Sequence, residues 1–222
     1  MSLSQDPTFS KLKNDFVCGT FNIVDQPYCG QSGIHPIEES SAVFTTNGAG
    51  PHNIQMFVLN PDGTVLTCLP GYWQSDDLAE ELSFAEELNK VYMDPAISMT
   101  EKKRKFTSMH LAHIKEHSKA MVKRSKMQGF DMKYEAKNRA KTSDTIYSST
   151  GGDPKMGGIQ FKTTDVIMHE RMAVRPFVKY DKFDVAAYCD YGRPKYDKKE
   201  DGELPPPPPK QGKGKKGRRG GG

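Results

Sequence analysis

Apolar and polar positions alternate from Asn53 to Leu59, with Ile54, Met56 and Val58 on one face. A second apolar run follows from Thr64 to Leu69. Between them stands Asn60-Pro61-Asp62-Gly63, a sequence with turn chemistry, so the segment predicts a β-hairpin. Pro70-Gly71 ends the second strand. Ser75, Asp76 and Asp77 then offer an N-cap and dipole-matched acids, after which Leu78, Leu82, Ala85, Leu88 and Tyr92 recur at helical spacing on one face. Strand, turn, strand and capped amphipathic helix are therefore expected in that order.

Elsewhere the pattern is weaker. Met1 to about Lys13 reads as a short helix, and Phe16 to Val24, rich in β-branched and aromatic residues, reads as a strand in the hairpin's sheet. Gln26 to Pro51 is dense in Gly, Ser, Thr, Pro and Asn and reads as a long loop. Asp94-Pro95 marks a break, and Thr100 to about Lys126 predicts one long charged helix, with Gly129 ending it or starting a bend. Asp165 to Val174 predicts a short helix stopped by Pro176, and Lys182 to Cys189 another. The organisation expected is a core over residues 1–93, a helical extension over 94–195 with a mobile segment near 142–158, and a disordered tail over 196–222 containing five consecutive prolines.

Composition narrows the function classes. Of 222 residues, 35% are apolar and 27% charged, with 20 glycines and 15 prolines, so the buried core is expected to span much less than the whole chain. Of the 32 basic residues six lie in the last thirteen (Lys210, Lys213, Lys215, Lys216, Arg218 and Arg219), leaving 26 against 28 acidic ones in the body. The net charge of +4 thus belongs to the tail, and no basic face of the body for nucleic acid is inferred from it. A weak polyanion or RNA contact through that tail, and a protein partner elsewhere, are the partners expected. No run of eighteen apolar residues exists and residues 1–6 do not read as a leader, so a cytoplasmic protein without a membrane span is expected. Cysteines at 18, 29, 68 and 189 lack paired short spacing and are expected to be reduced.

The Pro61-Asp62-Gly63 hairpin running into the helix from Ser75 resembles the C-terminal half of a thioredoxin-like domain, over residues 53–92. The resemblance implies an α/β fold with a thioredoxin-like sheet, here carrying a C-terminal helical extension and a disordered tail. It also implies a Cys-X-X-Cys pair at a helix N-terminus, which this chain lacks. Tyr28-Cys29-Gly30-Gln31-Ser32 looks like that box with Ser32 in place of the second cysteine. Cys29 and Ser32 are therefore the catalytic candidates, for a site that could form mixed disulfides without resolving them. Cys18 and Cys68 read as small buried hydrophobes.

A second constellation is His110, His113 and His117, which on one helix fall within about 60° of each other. Phe106, Met109, Ile114, Ala120 and Met121 flank that sector, so the imidazoles sit in the apolar stripe. Two readings stand. Packing histidines at a half-buried interface are the commoner case, and the His-Glu-X-X-His arrangement of hydrolytic zinc sites is absent. Alternatively the three are ligands for zinc, copper or nickel, with His169 or Cys189 as the fourth group. The eleven methionines show no repeated spacing and read as core fillers. Three functions follow: a thioredoxin-like binding or scaffold protein without a dithiol, a single-cysteine thiol protein, and a metal-binding protein. No dyad, triad or phosphate loop argues for an enzyme beyond a thiol-disulfide type.

Overall fold

The expected hairpin forms, with β2 (Gln55–Leu59) antiparallel to β3 (Val65–Pro70) in the computed structural model, which describes residues 2–32, 45–140, 145–153 and 159–196. Gly63 takes φ +81° in the turn, a region glycine enters without steric cost. Asn60 and Asp62 side chains accept from the Asp62 and Thr64 amides, the local bonding that makes these residues turn formers. All six residues of β3 are buried. The first half of β3 also receives the segment near Val178 and Lys179, since the Val65 amide donates to the Val178 carbonyl at 2.9 Å.

Gly71 (φ +73°) then brings the chain against residues 48 and 49, where a Cβ would meet the Ala49 carbonyl. The helix predicted from Ser75 runs as α2 (Ser75–Met93). Its apolar stripe of Leu78, Leu82, Ala85 and Leu88 is buried, and two acids on the same side, Asp77 and Glu81, are buried with it. Asp77 is satisfied by Arg124 (2.7 Å from Nε) and by Asn47 (2.7 Å).

The remaining elements are α1 (Thr8–Asp15), β1 (Gln31–Ser32), α3 (Met99–His113), α4 (Lys119–Arg124), α5 (Gly129–Asn138), β4 (Tyr147–Asp153), β5 (Ile159–Phe161), α6 (Thr164–Ala173), α7 (Val185–Tyr188) and β6 (Lys195–Tyr196). The fold is mixed α/β. Described strands pair two by two: β2 with β3 and β4 with β5 antiparallel, β1 with β6 parallel. Helices α3 and α6 pack on each other and both touch the layer made by α2 and β3. One buried cluster joins Leu66 and Leu69 of β3, Leu82 and Leu88 of α2, Phe106 of α3 and Met168 and Met172 of α6. The expected boundary near residue 93 falls between elements that share this core.

Several local expectations are corrected. Among the described residues Phe16 to Val24 forms no strand, and Val17, Cys18, Phe21 and Val24 are exposed; strand propensity alone does not make a strand. The long helix expected over 100–126 is two helices, because Ser118 is extended (ψ 152°) and its side chain caps α4 by accepting from the Met121 amide at 3.1 Å. Gly129 starts a helix, α5. Residues 145–153, expected to be mobile, contain β4, whereas 142–144 and 154–158 lie outside the described residues. The Pro-rich basic tail from residue 197 also lies outside them. Among the described residues no helix is long and apolar enough to cross a membrane.

Candidate metal centre

Glu81 sits three residues after Leu78 and four before Ala85 on the buried face of α2, with no exposed surface. A carboxylate taken out of water costs several kcal/mol unless charges and hydrogen bonds compensate it. Three imidazoles from two other places meet it. His113 is the last residue of α3. His117 lies in the turn that follows, held in place because Ser118 breaks the helix. His169 comes from α6, one turn beyond Asp165 on the same face.

The Nε2 atoms of His169, His117 and His113 stand 3.2, 3.2 and 3.6 Å from one atom, Glu81 Oε1. One ligand atom from each of these four buried residues lies within 4.8 Å of every other, so the cluster can hold a metal ion. The geometry is poor for hydrogen bonding: His113 Nε2, His117 Nε2 and Glu81 Oε2 are buried without an aligned partner. The distances from Glu81 to the three imidazoles bracket the separation of about 3.3–3.4 Å between ligands about 2.0–2.1 Å from a tetrahedral zinc ion.

The opposite ring nitrogens are engaged as well. His117 Nδ1 is 2.8 Å from Asp165 Oδ2, and His113 Nδ1 is 3.2 Å from Glu116 Oε2. Phe84 of α2 stacks on His113 with centroids 4.0 Å apart and planes 4° from parallel. Burial favours a neutral Glu81, but His169, His113 and His117 outweigh it and hold the carboxyl well below its usual range. Burial likewise opposes charge on His117, yet Asp165 and Glu81 raise it to about 9. His113 is raised against its burial by Glu81 and Glu116. Without a metal, protons on these imidazoles are thus the counter-charge of the buried carboxylate.

Of the expected trio, His113 and His117 reach the shared point and His110 stands one ring behind it, with Nδ1 2.9 Å from His169 Nδ1. Of the two suggested fourth groups, His169 is present. Cys189 is instead buried in the core beside Cys68. Glu81 had not been anticipated; its one signal in the sequence is an acid inside the apolar stripe of α2. The thiol candidates lie apart from this cluster. Cys29 is half-buried, donates to the Gly30 carbonyl at 3.4 Å, and with Tyr28, His52 and Asp190 lines an open depression of about 420 Å³. Ser32 is in β1, in register with Tyr196 of β6. The chain matches no protein-family model, no curated protein and no solved structure.

Proposed function

We propose that this is a metal-binding protein that holds one divalent transition ion, with zinc the best fit, on Glu81 Oε1 and the Nε2 atoms of His113, His117 and His169. The observation that carries this reading is the convergence of three Nε2 atoms on one buried carboxylate oxygen, 3.2, 3.2 and 3.6 Å from it. Three neutral nitrogens and one oxygen suit zinc better than calcium or magnesium, which demand oxygen ligands. Charge agrees: the buried carboxylates Glu81 and Asp165 supply two negative charges, which a divalent ion neutralises. Four protein ligands fill a tetrahedral ion, the pattern of a structural centre. Such an ion ties α2, the turn after α3, and α6 together across a span of 88 residues. For the scaffold, a thioredoxin-like reading rests on the order β2, β3, α2 alone.

The test is elemental analysis of protein purified without a histidine tag, compared with the double variant His113→Ala, His117→Ala after zinc loading and desalting. One zinc per chain in the parent and less than about a tenth in a variant with unchanged circular dichroism is the expected result. Equal metal content in the two proteins, or none in the parent after loading, would overturn the reading.

A further inference from the structure

The three histidines that turn Nε2 toward the candidate ion engage Nδ1 with two kinds of partner. For His117 and His113 the partner is a carboxylate, from Asp165 and Glu116. A carboxylate only accepts, so when neutral those rings keep hydrogen on Nδ1 and present a bare Nε2 to a metal, the arrangement found around ligating histidines generally. His169 has no carboxylate at Nδ1. It faces another imidazole, His110, nitrogen to nitrogen at 2.9 Å.

Two nitrogens at that distance share one hydrogen. If it resides on His110, then a neutral His169 accepts at Nδ1 and carries its own hydrogen on Nε2, directed at Glu81 Oε1 3.2 Å away. That form suits the metal-free cluster and cannot ligate. If it resides on His169, Nε2 is bare and ready for a metal, and His110 carries its hydrogen on Nε2 instead. His110 Nε2 is buried without an aligned partner. In that second form His110 is the neutral acceptor. It is wholly buried and wedged between Phe106 (centroids 4.5 Å apart) and Phe84 (5.0 Å), which hold its ring against His169.

We propose that His110 is the positioning residue of this centre: it accepts the Nδ1 hydrogen of His169, so that His169 presents a bare Nε2 to the ion. This rests on the metal reading above. On metal binding the inter-ring hydrogen passes from His110 Nδ1 to His169 Nδ1. The hydrogen displaced from His169 Nε2 is balanced by one gained at His110 Nε2, through solvent, so the pair exchanges tautomers without a net change in protons.

The test uses the full chain, stripped of metal and titrated with zinc against a competing chelator, as parent and as two variants. His110→Phe keeps a ring of similar shape and removes the acceptor, whereas His110→Asn restores a carbonyl oxygen near the lost nitrogen. Loss of an outer partner of a ligating histidine costs about 10–100-fold in affinity. His110→Phe is expected to lose that much zinc affinity and to alter the visible spectrum of the cobalt-substituted protein. His110→Asn is expected to recover most of both. Phenylalanine binding zinc as tightly as the parent, or asparagine doing no better than phenylalanine, would overturn the assignment. Nitrogen-15 spectra of the histidine-labelled parent decide the matter without any variant: zinc should move hydrogen onto His169 Nδ1 and off His110 Nδ1, and an unchanged His110 tautomer would refute the exchange. A parent that binds no zinc would instead bring down the metal reading itself.

Discussion

Glu81→Gln gives the sharpest quantitative test of the centre, because it preserves shape and removes only the charge on which three imidazoles converge. A ligand that binds only the folded state stabilises it by about 4.1 kcal/mol at a free concentration of about 1,000 Kd. If glutamine weakens zinc about 100-fold, the upper end for losing even an outer-sphere partner, the variant sits at about 10 Kd under the same free zinc. Its metal-linked stabilisation then falls to about 1.4 kcal/mol. At about 2–4 °C per kcal/mol for a chain of this size, added zinc should raise Tm by about 8–16 °C in the parent and about 3–6 °C in Glu81→Gln. The assay is thermal melting of each protein with a zinc buffer set at about 1,000 times the parent's Kd, and with chelator alone. Each protein is referred to its own metal-free form, so the cost of burying a neutral amide cancels. Equal zinc-induced shifts in the two proteins would show that Glu81 is not a ligand and refute the reasoning.

Acid and base should act on the metal-free and metal-bound forms in opposite senses. His117 is raised to about 9 from an ordinary value near 6.5, so its contribution to the metal-free fold is fully present below about pH 6.5 and fades as pH rises to about 9. Zinc affinity should climb over the same interval because ligands must be deprotonated, and isothermal titration at pH 6 and pH 8.5 in chelator-buffered zinc checks both signs. Arg124→Met removes the guanidinium paired with buried Asp77; with Arg124 partly exposed, a loss of about 1–3 kcal/mol in urea unfolding is expected, and a change below about 0.5 kcal/mol would show that Asn47 suffices for Asp77. Cys18 (exposed) and Cys29 (half-buried) should alkylate in the folded protein, and Cys68 and Cys189 (buried) only after unfolding, as peptide mass mapping with and without denaturant would show.

Local elements were the legible part of this sequence. Turn residues Asn60 to Gly63, the β-branched and aliphatic run of β3, and the Leu78, Leu82, Ala85, Leu88 stripe of α2 each act over a few residues, and each formed where the pattern placed it. Histidines 110, 113 and 117 were legible as a trio on an apolar sector for the same reason, and two of them reach the cluster at Glu81. Phe16 to Val24 shows the limit of that locality, since strand propensity there made no strand among the described residues and left a largely exposed segment.

What the tertiary structure decided is which side chains meet. Glu81 reads in the sequence as one acid among Asp76, Asp77, Glu80, Glu86 and Glu87, and only packing of α2 under α3 and α6 buries it. His169 lies 59 residues from His110 and 88 from Glu81, so no periodicity could bring them together. His117 lies in the turn between α3 and α4, where it reaches both Asp165 and Glu81. Helical spacing is set by backbone geometry within a turn. The convergence of Glu81, His113, His117 and His169 is set by long-range burial of the apolar faces that carry them, a property of the whole core.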